Sequence, residues 1–126
     1  MKIFGLALFL ALLAGCGTFV PVEDLSEVPP EQLQKALHVR VFTLESGAEY
    51  PEIKTYLGEV SAYSCKHMTW DPPASKGDAL KRLRLEALRK GADAVIDVTF
   101  DTRGTDAWGT NCWQSVYASG QAVVLK

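Results

Sequence analysis

Two cysteines and a histidine are the side chains of this sequence best suited to covalent or metal chemistry. His67 stands two residues after Cys65, and Cys112 lies much further along the chain. In an oxidising compartment such cysteines form a disulfide, whereas two thiolates and an imidazole would offer three ligands to a metal ion. Structural zinc sites usually combine pairs of the C-x₂₋₄-C or H-x₃₋₅-H kind, and Cys65-x-His67 with one distant cysteine is not of that kind. A disulfide is the favoured interpretation, with a metal site and free thiols as the alternatives.

The third cysteine, Cys16, ends the segment that decides the compartment. Lys2 precedes an apolar run over residues 3–14 that closes in small residues, as in a secretory signal peptide. The run is too short for a spanning helix, which needs about 20 residues. Leu-Ala-Gly-Cys at 13–16 resembles the bacterial lipobox, whose cysteine is acylated and becomes the first mature residue. We predict that residues 1–15 are removed and that Cys16 is the lipidation site; the alternative is an ordinary signal peptide with a chance cysteine.

The segment after Cys16 predicts a spacer between the membrane and a folded domain. Residues 16–36 hold three of the six prolines and several small or acidic residues, which predicts a lipid anchor and tether. Pro29-Pro30 could start a short helix through Glu31 to Ala36. Residues 37–126 predict one globular domain. Gly17 stands where inner-membrane lipoproteins of enteric bacteria carry aspartate. The expected location is therefore the outer membrane, with the domain facing the periplasm.

Charge and motif content exclude several classes of function. The chain has 13 Lys and Arg against 15 Asp and Glu, a net charge of −2, without the basic stripe of a nucleic-acid-binding protein. His38 and His67 accompany no nucleophile motif. Asp93 and Asp97 could pair on one face of a strand, but such residues more often mark a turn and a strand edge. We expect a protein that is not an enzyme and has no cofactor, catalytic residue or resident metal.

The pattern of apolar residues predicts an α+β fold. The helix expected at about 76–90 begins after Ser75, places Leu83 and Ala87 on one face, and ends at Gly91. Alternation predicts strands over 38–44, 56–63, 92–100 and 112–126. Loops are expected over 66–75 and 101–111. The predicted architecture is a small two-layer sandwich, a three- to five-stranded sheet with the main helix packed on it and one disulfide.

Two surfaces are candidates for partner binding. A Cys65–Cys112 bridge would draw together the loops that carry Trp70 and Trp108, and tryptophan is enriched at interface hot spots. The helix adds a cationic face that includes Arg82 and Arg89. The alternatives are that the aromatic residues near the disulfide, Trp113 and Tyr117 among them, belong to the core, and that the helix face is merely solvated.

Several blocks of the sequence together resemble a known family. They are Tyr56 to Ser61 with Ser64-Cys65, Gly91 to Val95, Gly109 with Cys112, and Gly120 with Ala122. These blocks resemble the RcsF family, outer-membrane lipoproteins that report envelope stress to the Rcs phosphorelay. The resemblance implies that Cys65 and Cys112 form one of the family's disulfides. It also implies outer-membrane barrel proteins and an inner-membrane phosphorelay regulator as partners.

A second group shares part of this pattern. A related family of small bacterial domains, named for a heavy-metal-binding role, resembles the chain at the same helix–glycine–strand junction. Fold alone does not fix function. The sequence therefore predicts an envelope-stress lipoprotein that signals by protein contacts, with a structural or metal- or ligand-binding periplasmic lipoprotein as the alternative.

Overall fold

The computed structural model describes residues 20, 22–45, 47, 49–103 and 111–126. After a 3₁₀ turn at Leu25–Glu27, the elements are α1 (Pro30–Leu37), β1 (Arg40–Thr43), β2 (Ile53–Lys66), α2 (Lys76–Arg89), β3 (Ala94–Arg103) and β4 (Gln114–Leu125). Within the described part of the chain, four strands form one sheet in the order β1-β3-β4-β2. β1 is parallel to β3, and β4 is antiparallel to both β2 and β3. The predicted α+β architecture is confirmed.

Helix α2 begins and ends at the residues that the sequence indicated. The Ser75 hydroxyl accepts a hydrogen bond from the Asp78 amide at 3.1 Å, which satisfies one free amide of the first turn. Gly91 has φ +83°, and the Ala92 amide donates to the Ala87 carbonyl at 3.0 Å. This glycine-based ending turns the chain directly from α2 into β3.

The main core lies between α2 and one face of the sheet. Leu83 and Ala87 of α2 are fully buried there, against Val95 and Ala118 of the sheet. Many core residues are alanine or valine, so the helix lies close to the sheet. A smaller cluster around Ile96 occupies the opposite face of the sheet.

A β-bulge in β3 explains why Gly120 cannot be larger. Asp97 has φ +54°, and the β3–β4 register shifts between Ile96 and Thr99. A Cβ atom at Gly120 would lie 2.8 Å from the Ile96 carbonyl oxygen and 2.9 Å from a methyl carbon of Val98. The bulge therefore brings β3 backbone into the space that a side chain on β4 would need.

Several strands begin or end at other residues than predicted, because neighbouring elements hydrogen-bond to the residues at their ends. His38 and Val39 are held by hydrogen bonds from their amides to the carbonyls of the last turn of α1, so β1 begins at Arg40 and not at residue 38. β2 runs over residues 53–66, longer than the predicted 56–63, because β4 pairs along nearly its whole length. Residues 101–103, predicted as loop, extend β3, and residues 104–110 lie outside the described residues.

Part of the segment predicted as tether is packed on the domain. Val28 and Ala36 are buried against Leu85 of α2, with Leu25 and Leu33 beside them. This contact explains why Leu85 is only 1% exposed although it lies off the face that meets the sheet. Residues 20 and 22–28 are hereafter called the strap.

The described residues contain no helix long and apolar enough to cross a membrane.

Candidate functional site

The Cys65–Cys112 disulfide joins the end of β2 to the residue pair that precedes β4. Its sulfur atoms are bonded, and the two Cα atoms lie 5.5 Å apart, within the usual range for a disulfide. The neighbouring Trp113 amide donates to the Lys66 carbonyl at 2.7 Å, which continues the β2–β4 ladder to the bridge. The predicted disulfide is confirmed, and it closes this end of the sheet.

Asp71 organises the loop that follows β2. Its carboxylate oxygen Oδ2 accepts hydrogen bonds from the amides of Met68 at 2.9 Å and His67 at 3.2 Å. At the far end of the loop the Ser75 amide donates to the buried Ser64 hydroxyl at 3.1 Å. Hydrogen bonds therefore hold the start of the loop to Asp71 and its end to Ser64 of β2. Trp70 lies between these two points.

Large side chains are exposed around the disulfide. Trp70 is 79% exposed and Trp113 is 52% exposed. Met68 is 49% exposed and Tyr63 is 36% exposed. The Tyr63 ring lies 4.6 Å from the ring of Tyr117 on the neighbouring strand. The name aromatic surface is used below for four exposed side chains and the half-buried Tyr117: Tyr63, Met68, Trp70, Trp113 and Tyr117. Single exposed apolar residues are common, but several at one end of a domain favour a contact site.

The aromatic surface differs in membership from the one the sequence suggested. Trp70 is where the prediction placed it, on an exposed loop beside the disulfide. Trp108, its predicted companion, lies outside the described residues. Trp113 was weighed as a core residue but is half exposed. Tyr63 belongs to the aromatic residues near the disulfide that the sequence indicated. Met68 was missed as a surface residue, although it lies three residues after Cys65.

The predicted cationic surface on α2 is engaged with the strap. The two terminal nitrogens of Arg89 donate to the two carboxylate oxygens of Glu23 at 2.8 and 2.7 Å. Arg82 donates from Nη1 to the Glu23 carbonyl oxygen at 2.7 Å. Arg82 is also paired with Asp78 at 2.9 Å, and Arg89 with Glu86 at 2.8 Å. Both arginines therefore already have partners within the chain.

Electrostatics at this contact favour the ionised carboxylate. The hydrogen bonds from Arg89, together with its positive charge and that of Arg82, lower the pKa of Glu23 below its ordinary value. The same hydrogen bonds raise the pKa of Arg89. Neighbouring Asp24 accepts hydrogen bonds from the Ser26 hydroxyl at 2.7 Å and the Ser26 amide at 2.9 Å, which lower the pKa of Asp24.

The strap spans the distance between the α2 arginines and the disulfide end. At its first described residue, the Val20 amide donates to the Asn111 side-chain oxygen at 2.8 Å, and the Val20 carbonyl accepts from the Asn111 amide group at 3.1 Å. A cleft of about 250 Å³ lies between the strap and the domain, bordered by Glu23, Tyr63 and Arg82. A wider cleft of about 530 Å³ extends from the strap toward the loop of His67 and Asp71.

Residues 52–126 match the model of a family described as "Putative heavy-metal-binding". The chain belongs to this family. The matched range covers β2, α2, β3, β4 and the disulfide, and it leaves out the strap, α1 and β1.

The chain is also similar to two curated proteins over nearly its whole length. Both are named outer membrane lipoprotein RcsF, one from Escherichia coli strain K12 and one from E. coli O6:H1 strain CFT073. The identity to each is 29%, over 98% of this chain and 96% of the relative. The predicted resemblance is confirmed, as is the assignment as an outer-membrane lipoprotein. The names of these relatives describe lipoproteins and mention no enzymatic activity.

Two cysteines and a histidine of this chain are the side chains that could hold the heavy metal in the family's description. The ligand atoms of Cys65, His67 and Cys112 all lie within 4.8 Å of one another. Thiolate, not disulfide sulfur, is the metal ligand that cysteine provides, and the two sulfurs are bonded to each other. Of these three residues, His67 alone keeps a ligand atom available in the disulfide form. The cluster does not fit a resident metal while the disulfide is intact.

Proposed function

We propose that this protein is an outer-membrane lipoprotein that passes envelope-stress signals to a phosphorelay through protein–protein contacts. Cys16 carries the lipid anchor after removal of residues 1–15, and residues 37–126 form the contact domain. The similarity to RcsF supports the setting. The observation that carries the proposal is the aromatic surface beside the Cys65–Cys112 bridge.

The aromatic surface has the properties of a protein-binding site. Its side chains offer large area at low cost in conformational entropy, and tryptophan and tyrosine are enriched among residues that dominate binding energy. The disulfide and the Asp71 hydrogen bonds hold the supporting backbone in place, so little ordering is needed on association. Binding, with no catalytic step, is the mechanism that these residues support.

The partners proposed from the resemblance are outer-membrane barrel proteins and an inner-membrane phosphorelay regulator. A protein that contacts both membranes must present its domain away from its own anchor. The aromatic surface is the contact site that we assign to one of these partners. The cationic face of α2, with Arg82 and Arg89, is the second contact site that we propose.

The test compares two exposed aromatic residues at different places on β2 and its loop. Trp70→Ala should reduce partner capture from intact envelopes by at least about tenfold, the loss typical of a hot-spot residue. Tyr56 is the matched control, because it is 66% exposed but lies near the start of β2, away from the disulfide. Equal capture by the Trp70→Ala, Tyr56→Ala and unaltered proteins, all correctly anchored, would contradict the proposed surface.

Metal binding is the second candidate function, favoured by the cluster of Cys65, His67 and Cys112. It requires both sulfurs to be free thiolates. Protein isolated from its own envelope should be analysed for metal content and for alkylatable thiols. Stoichiometric metal that is lost in the His67→Ala variant would favour this candidate over the signalling one.

A further inference from the structure

The strap covers part of α2 and contacts it through both charged and apolar side chains. We propose that the α2 surface formed by Arg82, Leu85 and Arg89 binds an extended acidic segment of a partner protein, and that the strap occupies this surface until the partner displaces it. This inference rests on the proposed contact function and specifies how one of its surfaces is controlled.

The strap itself shows what the surface recognises. Arg89 binds the side-chain carboxylate of Glu23 with both terminal nitrogens, while Arg82 binds the main-chain carbonyl of the same residue. Two residues later, Leu25 packs into the cluster around Leu85. A bidentate guanidinium is selective for carboxylate. The matching partner is therefore an extended peptide with a carboxylate two positions before an apolar residue.

The ion pair between Glu23 and Arg89 is weak enough for a partner segment to replace Glu23. Glu23 and Arg89 are each more than a third exposed, and ion pairs exposed to this degree stabilise little. The apolar half is firmer, because Val28 is 5% exposed and packs with Ala36 on Leu85. The strap can therefore open at Glu23 while α1 stays in place. Because the strap belongs to the same chain, its effective concentration at α2 is high, and it competes with any partner segment for this surface.

The position of the strap couples it to the anchor. Val20 lies four residues after Cys16, a span of at most about 14 Å. If Cys16 is lipidated, a closed strap keeps the domain near the membrane. Release up to Val28 leaves a span of up to about 40 Å between anchor and domain. Opening would expose Arg82 and Arg89 and would also extend the reach of the domain.

The experiment uses charge reversal in the mature lipidated protein purified in detergent. Glu23→Arg places a cation opposite Arg89 and should open the strap, and Arg89→Glu should open it equally. The double variant Glu23→Arg/Arg89→Glu restores an ion pair and should close it again. Glu27→Arg is the control, because Glu27 is an exposed acid of the strap that lies outside the contact. Hydrogen exchange at residues 22–28 measures opening, with an expected rise of at least about threefold.

A labelled peptide with the sequence of residues 20–28 then tests recognition without any envelope partner. It should bind the Glu23→Arg variant at least about threefold more tightly than the unaltered protein or the Glu27→Arg variant. It should not bind the Arg89→Glu variant, whose strap is also open. Equal binding to all variants, or no binding to an opened Glu23→Arg protein, would overturn the inference. Unchanged partner capture by the Trp70→Ala variant would contradict the proposed function but would leave this peptide result unaffected, so the two proposals fail separately.

Discussion

Arg89 on α2 binds both carboxylate oxygens of Glu23, a residue 66 positions earlier in the chain. The pair joins the segment predicted as tether to the helix that forms one side of the core. The hydrogen bonds between Val20 and Asn111 extend the same strap to the end closed by the disulfide.

Acidification should weaken this link. Because Arg89 lowers the pKa of Glu23 below its ordinary 4.5 in the folded protein, the contact contributes fully above that value. Its contribution is lost as the pH falls through the lowered pKa. An NMR titration should show the carboxyl signal of Glu23 moving at lower pH in the unaltered protein than in the Arg89→Glu variant, with the Arg89 signals of the unaltered protein following Glu23. Titration of Glu23 at the same pH in both proteins would contradict the contact.

The disulfide should stabilise the domain substantially. Cys65 and Cys112 are separated by 47 residues, and closing a loop of that length is expected to contribute about 4 kcal/mol. Urea unfolding of the Cys65→Ser/Cys112→Ser variant should show a loss of about 2–4 kcal/mol against the oxidised protein. Two alkylatable thiols in protein taken from its native compartment would contradict the bridge.

Two glycines should respond in opposite ways to alanine. Gly120→Ala introduces a Cβ atom 2.8 Å from the Ile96 carbonyl oxygen, and we expect a loss of about 1–3 kcal/mol. Gly77 lies in the first turn of α2, where an added Cβ atom would meet no described atom within 4 Å beyond its own stretch of helix. Gly77→Ala should be neutral or stabilise by up to about 1 kcal/mol, since alanine has the higher helix propensity. Thermal or urea unfolding of both variants checks the pair, and equal effects would contradict the bulge.

The anchor can be tested directly. Mass spectrometry of the mature protein should show acyl chains on Cys16 and no residues 1–15. Cys16→Ser should release the protein from the membrane or leave an uncut precursor, because no thiol remains for the thioether. An unaltered protein that is processed normally but carries no lipid would contradict the prediction.

Local signals explain which parts of the fold could be predicted. Ser75 and Gly91 define the ends of α2, and Pro30 begins α1, because capping and proline preferences act within a few residues. The disulfide followed from compartment and cysteine count. The bulge at Asp97 could not be predicted, because the positive φ depends on how β3 pairs with β4.

Part of the candidate site could likewise be predicted from residues that lie close together in the sequence. Trp70 could be recognised as a loop residue near a cysteine, and Arg82 and Arg89 as a cationic face. That Glu23 occupies those arginines depends on a contact across 66 residues, which no periodicity reveals. Leu85 likewise has the spacing of a surface residue on an amphipathic helix until α1 is placed against it.

The proposed contact at the disulfide end of the domain can be tested in living cells. A photocrosslinking amino acid at position 70, and at position 56 as the control, should be activated in intact cells that carry the full-length lipoprotein. We expect position 70 to yield defined crosslinks to envelope proteins whose abundance changes with envelope stress, and position 56 to yield few. Crosslinks of equal number and identity from both positions, or none from position 70 in a correctly anchored protein, would contradict partner contact at the disulfide end.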